Sequence, residues 1–346
     1  MNITQLDKTT LRFIREQINE ELDLFFEQKS EELKLDSIDA CLMVEHLREF
    51  TLRPGKRIRP IMVLVGYVAA TGAVPPRGIL RASLCTELMQ SYLLIQDDWM
   101  DEDSMRRGKP SMHFMLRSSL EGTQIGDSVS LLISDLASAF AEELLVTATV
   151  SAEARLEALS AYTQMHQQVI CGQFLDVTHH ADVKKIHELK TASYTVTGPL
   201  LLGAKLGEGS KTLMTALSNF GTAIGLAFQA RDDYIGTFGS SAKSGKQASS
   251  DLQQKKSTIL LKTLQQQAQT KDKAELEELL SHDSLSEEMA ERVKALMIEY
   301  AVPRLVDAEI ERLYQAAMHE LEACECTQEA KETLTKLASL LVYREA

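Results

Sequence analysis

Apolar residues recur at three- and four-residue intervals along nearly the whole 346-residue chain, the spacing that lays one stripe of a helix against a core. Leu11, Ile14, Ile18, Leu22 and the pair Phe25/Phe26 mark a first amphipathic helix, and a second is predicted over roughly 37–50. Arg53-Pro54-Gly55-Lys56 interrupts the period. Pro60 then suits the first turn of a third helix, which runs to Val68-Ala69-Ala70 and is closed by Thr71-Gly72 and Pro75-Pro76. From Ile79 a long helix is predicted through Leu84, Leu88, Tyr92 and Ile95 to Asp97-Asp98. The polar stretch Asp103 to Pro110 carries Gly and Pro and reads as a loop. Further helices are expected over about 125–147, 152–181, 185–206, 211–238, 255–267, 273–281, 286–320 and 327–343. Pro199 should kink its helix, and Pro303 should kink or split a later one. No alternating segment between turn residues predicts a strand.

Composition narrows this to an all-α fold. Apolar residues make up 44%, enough for a sizeable core, and only 5% are aromatic. The length exceeds that at which one core usually divides, yet no Pro/Gly/Ser-rich linker breaks the chain, so a single helical domain over 1–346 is expected. The net charge of -13 argues against nucleic acid as a partner, because a surface that binds a phosphate polymer is basic. The basic residues are bunched: Lys56, Arg57 and Arg59; Arg106, Arg107 and Lys109; Lys243, Lys246, Lys255 and Lys256. Local cationic spots in an acidic protein suit a small anion.

Five cysteines with no framework spacing point to reduced thiols, and Cys324-Glu325-Cys326 lacks the second half of a zinc site. His179-His180, with Asp182 and His187, fits no zinc spacing either. The first residues carry no leader-like pattern, and no apolar stretch reaches the length of a membrane span. A soluble, cytoplasmic protein is expected.

Two acidic clusters carry candidate chemistry. Asp97-Asp98-Trp99-Met100-Asp101 ends a strongly apolar helix. Positions four apart share a helical face, so Asp97 and Asp101 point the same way. Carboxylates that close repel unless a cation lies between them, and Mg²⁺ takes oxygen ligands together with phosphate oxygens. Asp232-Asp233 closes a second apolar stretch, from Ala223 to Arg231. A solvated acidic helix end explains either cluster alone; two such transitions suggest carboxylates facing one metal-and-phosphate cavity. Lys56 and Arg59 at a helix start would converge on an anion, and Arg106-Arg107 offers two guanidiniums for bidentate phosphate contacts.

In this order the segments resemble the trans-isoprenyl diphosphate synthases, which include farnesyl and geranylgeranyl diphosphate synthases. The resemblance covers about residues 53 to 258. Gly55-Lys56-Arg57-Ile58-Arg59-Pro60 is similar to the family's GK-x-x-RP segment. Asp97 to Asp101, followed by Arg106-Arg107-Gly108, resembles its first aspartate-rich motif. Gly172-Gln173-Phe174-Leu175-Asp176 matches GQ-x-x-D, Lys190-Thr191 the KT pair, and Phe228 to Asp233 the second aspartate-rich motif. Gly245-Lys246 and the stretch from Asp251 to Thr258 resemble the lysine-bearing loop beyond it.

The resemblance implies an isoprenoid synthase-type helical bundle around a diphosphate and metal cavity. It implies Mg²⁺-dependent head-to-tail condensation of isopentenyl diphosphate with an allylic diphosphate, by a homodimer. Asp97, Asp101 and Asp232 would ligate about three Mg²⁺, with Asp98 and Asp233 acting through water or from behind. Arg106, Lys190, Gln229, Lys246 and Lys256 would hold the allylic diphosphate. Lys56, Arg59, Arg107 and Gln90 would hold isopentenyl diphosphate. Thr191 and Gln173 would line the place where the carbocation forms. Metal and cationic groups stabilise the leaving diphosphate, apolar helices exclude water, and no side-chain nucleophile is needed.

Three departures stand out. Gly236 occupies the place of a third aspartate, Gln253-Gln254-Lys255-Lys256 replaces an Arg-Glu-Gly-Lys type so that Lys255 competes with Lys256 for the lysine role, and a single glycine precedes Lys56. In this family product length is set just before the first motif. Tyr92 and Leu93, five and four positions before Asp97, resemble the geranylgeranyl (C20) pattern, with farnesyl (C15) next. The same Tyr92 reads equally as a core aromatic with no gating role. A class I terpene cyclase is the rival enzyme, but no fitting Asn/Asp-x-x-Ser/Thr-x-x-x-Glu site follows Asp232. A catalytically silent subunit of a heteromeric synthase is the rival from another class, kept open by Gly236.

Overall fold

Nearly every apolar stripe becomes a helix in the computed structural model, which describes residues 7–34, 40–120, 122–178, 182–239, 250–253, 256, 258–282 and 284–344. The helices are α1 Lys8–Lys34, α2 Cys41–Leu52, α3 Ile58–Thr71, α4 Arg77–Ser83, α5 Cys85–Met100, α6 Met112–Ser119, α7 Thr123–Val146, α8 Ala152–Val177 and α9 Val183–Ile186. After a π-helical segment, His187–Thr197, come α10 Gly198–Leu206, α11 Lys211–Phe238, α12 Ser250–Gln253, α13 Ile259–Gln267, α14 Thr270–Ser281, α15 Glu287–Glu299, α16 Val302–Glu322 and α17 Gln328–Val342. The all-α class holds. Among the described residues no helix is long and apolar enough to cross a membrane.

The chain divides into two compact units, each drawing on separate stretches of sequence. One comprises Met1–Tyr162, Pro199–Lys211 and Cys326–Thr333; the other Thr163–Gly198, Thr212–Glu325 and Leu334–Ala346. In the first, α5 packs along α7, with α6 against α7 and α1 against α2. Its core holds Leu88, Ile95, Ile133, Ala137 and Leu144, all essentially inaccessible. In the second, α13 packs on α16 and α15 on α16, around Ile224, Ala227, Leu264, Val293, Val306 and Ile310.

Two local features depart from the pattern read in the sequence, and a third, the break at Pro303, follows it. The stretch 103–110 is not all loop: Met105–Arg106 (β1) and Lys109–Pro110 (β2) pair antiparallel, Met105 opposite Pro110 and Arg106 opposite Lys109. Arg107 and Gly108 form the turn with φ of +54° and +75°, the conformation whose twist suits a two-residue hairpin loop. Strands of two residues are too short to show a period of two. The segment expected over 185–206 winds as a π-helix between His187 and Thr197. There Gly198 donates to the Ser193 carbonyl, and Pro199, which has no N–H, stands where the α-register resumes. The expected helix over 286–320 is split: Ala301 has φ +51°, and Pro303 enters the first turn of α16, where a missing N–H costs nothing.

Candidate active site

The first aspartate cluster closes α5. Asp97 and Asp98 lie in its last turn, and Asp101 caps it, its N–H bonded to the Asp97 carbonyl at 2.9 Å. Asp98 is fully buried. Arg106, on β1, donates through Nε to Asp98 Oδ1 at 2.6 Å, and its Nη2 makes a second close contact with the same oxygen. That Nη2 also lies 3.7 Å from Asp97 Oδ2 and 3.4 Å from Asp103 Oδ2. Burial pushes the Asp98 carboxyl up to about 6, with Arg106 pulling the other way. For Arg106 burial pulls downward, but Asp98, Asp97 and Asp103 more than reverse it. Asp98 Oδ2 is buried with no hydrogen-bond partner among the described residues.

Among the described residues no three His, Cys, Asp or Glu side chains gather around one point. This does not conflict with magnesium, which is usually held by one or two carboxylates and completed by water and substrate phosphates. The partly exposed Asp97 and Asp101, one turn apart with a buried carboxylate behind them, fit that donor set.

The basic segments of the same unit converge through Arg53. Its Nη1 donates to the carbonyls of Arg106 and Pro110 at 3.2 and 2.9 Å, and its Nε and Nη2 pair with Glu49. This fixes the β1–β2 hairpin against the end of α2. Arg107 returns the contact, Nη1 to the Arg53 carbonyl at 3.4 Å. Arg57 is buried in the left-handed region, φ +52°. Its Nη1 meets Glu87 Oε2 at 2.5 Å and its Nε bonds Asn19 Oδ1 at 2.8 Å. This leaves Lys56 exposed and Arg59 half-buried at the start of α3. Burial lowers the pKa of Arg107, and the positive potential of Arg57, Arg59 and Arg106 adds to that against Glu87. Mutually repelling guanidiniums of this kind favour a bound anion. Half-buried Gln90 lies on α5 seven positions before Asp97, Tyr92 is buried and Leu93 half-buried.

In the second unit two predicted motifs meet. Lys190 Nζ reaches Asp176 Oδ2 at 2.5 Å, joining the KT pair to the GQ-x-x-D segment. Gly172 allows it, since a Cβ there would stand 2.3 Å from the Lys190 backbone nitrogen. Lys190 and Thr191 both lie on the π-helical segment, a geometry often found at functional sites. On α11, Gln229 Nε2 donates to Asp233 Oδ1 at 2.7 Å. Asp233 Oδ2 accepts the Ile259 N–H at 2.9 Å and faces His187 Nε2 at 3.4 Å, so buried Asp233 caps α13. Asp232 is the exposed member of the pair and forms a close ion pair with Arg344, whose guanidinium stacks 4.2 Å from the Phe228 ring centroid. Lys256 is half-buried. Gly245, Lys246, Lys255 and His179-His180 lie outside the described residues.

The chain matches the family model for polyprenyl synthetase over residues 41–297. The chain belongs to the polyprenyl synthetase family. It is 28% identical over 299 residues to a short chain isoprenyl diphosphate synthase of Methanothermobacter thermautotrophicus, covering 84% of this chain and 87% of that one. It is 32% identical over 258 residues to a farnesyl diphosphate synthase of Haemophilus influenzae, covering 70% and 82%. Among solved structures it resembles the geranylgeranyl pyrophosphate synthase of Corynebacterium glutamicum, complexed with isoprenyl diphosphate and magnesium. There the TM-score is 0.89 at 30% identity, covering 98% of this chain and all of that one. As a polyprenyl synthetase the chain is a prenyltransferase, a short-chain prenyl diphosphate synthase.

Several groups of this polyprenyl synthetase gave no signal in sequence. Arg57 stood inside a recognised segment, yet nothing marked it as the buried partner of Glu87. Arg344 lies 112 positions beyond Asp232, with no motif around it. Arg117, which grips Glu102 and Asp127, reads as an ordinary basic residue of an amphipathic helix.

Proposed function

We propose that this polyprenyl synthetase condenses isopentenyl diphosphate head-to-tail with an allylic diphosphate, giving geranylgeranyl diphosphate (C20) as product, with farnesyl diphosphate (C15) the next candidate. The observation carrying the chemistry is the end of α5: Asp97 and Asp101 partly exposed, Asp98 buried behind them, and Arg106 held against Asp98 with Asp97 and Asp103 beside it. The Corynebacterium relative binds magnesium and isoprenyl diphosphate, and the donor set here suits the same ion. Asp97, Asp101 and Asp232 would each hold Mg²⁺, which would supply electrostatic stabilisation of a leaving diphosphate.

The chain's own residues do the rest. Arg106, Lys190, Gln229, Lys256 and Lys246 bind the allylic diphosphate; Asp98 and Asp233 hold Arg106 and Gln229 in place. Lys56, Arg59, Arg107 and Gln90 bind isopentenyl diphosphate, the cations kept in register by Arg53 and Arg57. Thr191 and Gln173 line the reacting carbons. The allylic C–O bond breaks, the isopentenyl double bond attacks the cation, and the proton lost goes to released diphosphate. Buried Tyr92, with Leu93, floors the chain pocket and stops growth by exclusion.

We read the two units as one polyprenyl synthase domain, supported by a family match that runs through both. A homodimer is supported by α7, where Ile125 and Leu132, seven apart on one face, are 56% and 54% exposed. A cytoplasmic location belongs to the same reading, and five cysteines without framework spacing suit it. Incubation with labelled isopentenyl diphosphate, Mg²⁺ and each of dimethylallyl, geranyl and farnesyl diphosphate tests the product. C20 is expected; C15 as the end product would move the floor, and no elongation would end the reading.

A further inference from the structure

The turn following α5 is built on a residue type that does not favour it. Asp103 N–H bonds the Asp98 carbonyl at 2.9 Å and Glu102 N–H the Trp99 carbonyl at 3.4 Å. This is the paired closure that ends a helix on a left-handed residue, ordinarily glycine. Here that residue is Glu102, at φ +52°. Such a conformation costs a side-chain-bearing residue energy and persists where neighbours over-determine it.

The neighbour is Arg117 of α6. Its Nη1 and Nη2 donate to Glu102 Oε2 and Oε1 at 2.7 and 2.9 Å. Its Nε and Nη2 donate to Asp127 Oδ1 and Oδ2, on α7, at 2.6 and 3.0 Å. Two carboxylates thus take two edges of one planar guanidinium, a geometry lysine cannot supply. The approach of α6 to α7 depends on Gly126, where a Cβ would stand 2.4 Å from the Arg117 backbone nitrogen. Trp99 also donates to Asp127, so the last turn of α5 and the residue beyond it are tied to one carboxylate.

We propose that Arg117 is a positioning residue for the prenyl transfer: by gripping Glu102 against Asp127 it holds the left-handed turn that aims Asp97 and Asp101 and returns the chain to Arg106. This rests on the reading of Asp97 and Asp101 as Mg²⁺ ligands. Groups that orient ligands without touching the metal ordinarily change its affinity about 10–100-fold. A plain charge effect has the opposite sign, since a cation near the carboxylates repels Mg²⁺ and its removal strengthens binding.

The test follows thermal unfolding of the full chain across a Mg²⁺ titration with inorganic diphosphate present. It compares the wild type with Arg117→Lys, Glu102→Gly and the two combined. Arg117→Lys keeps the charge and loses the fork, so its half-maximal Mg²⁺ concentration should rise about tenfold. Glu102→Gly should stay close to wild type, because glycine adopts the turn unaided, and the double variant should return toward wild type. The proposal is overturned if Arg117→Lys titrates like wild type. It is equally overturned if the double variant stays as weak as Arg117→Lys, or if Glu102→Gly alone is as weak. A wild type that shows no Mg²⁺ response overturns the metal reading itself, a failure distinct from a responsive wild type with an unaffected Arg117→Lys.

Discussion

Replacing Glu87 with glutamine keeps the shape of the side chain and removes the charge facing Arg57. The two side chains are only 1% and 3% exposed, with 2.5 Å between Nη1 and Oε2. The guanidinium stays buried after the change, because Asn19 and the Arg53 carbonyl still hold it. Breaking a buried pair from one side costs about 3–5 kcal/mol, since the surviving charge has lost its counter-charge. That is a large part of the 5–15 kcal/mol that ordinarily stabilises a domain. At a urea slope of about 2–3 kcal/mol per M, the midpoint of the transition involving the first unit should fall by about 1–2.5 M. The exposed pair Arg12–Glu16, 74% and 51% accessible, is the control, and Glu16→Gln should leave the midpoint in place. Substituting both partners, Arg57→Met with Glu87→Met, should recover much of the loss because no buried charge remains. In the enzyme assay Glu87→Gln should raise KM for isopentenyl diphosphate more than KM for the allylic substrate, since Arg57 shapes the turn that presents Lys56 and Arg59. A Glu87→Gln midpoint within about 0.3 M of wild type, less than about 1 kcal/mol on that slope, would refute the reasoning.

Tyr92→Ala should shift products to longer chains than wild type, read by chromatography of the dephosphorylated prenyl alcohols; an unchanged distribution would return Tyr92 to the core. His113 is wholly inaccessible, and burial, with Arg117 adding to it against Glu102, Asp127 and Asp103, lowers its pKa. An unfolded histidine takes a proton near pH 6.5, so the stability His113 contributes is complete above about that pH and is lost as pH falls toward the depressed folded value. His113→Gln should flatten the decline in urea midpoint between about pH 6.5 and 5. Arg344→Gln should free Asp232 and lower the Mg²⁺ concentration that half-saturates activity; a higher requirement would show that Arg344 holds Asp232 in a productive pose.

Helix spacing made most of the architecture legible. The stretch 211–238 was readable to the residue because Phe220, Ile224, Ala227 and Ala230 keep one buried face throughout. Legibility failed where a backbone state carries no side-chain signature. The π-helical turn from His187 looks like ordinary helix until Pro199 removes an N–H, and the hairpin at Arg107-Gly108 is shorter than any period. At the site, the ordered motifs marked the charged residues proposed here to face ligand. They could not reveal what holds those residues, because Arg53, Arg57, Arg117 and Arg344 act through partners as far as 112 positions away in the chain. Such pairings are set by packing of helices and leave no local pattern.

The most direct test of the account is transfer of label from isopentenyl diphosphate into extractable prenyl diphosphate by the purified chain alone, with Mg²⁺ and an allylic starter. Transfer that is abolished by EDTA, restored by added Mg²⁺ and lost in Asp97→Ala is the predicted result. A folded protein that transfers no label with any starter, or an Asp97→Ala variant as active as wild type, would contradict it.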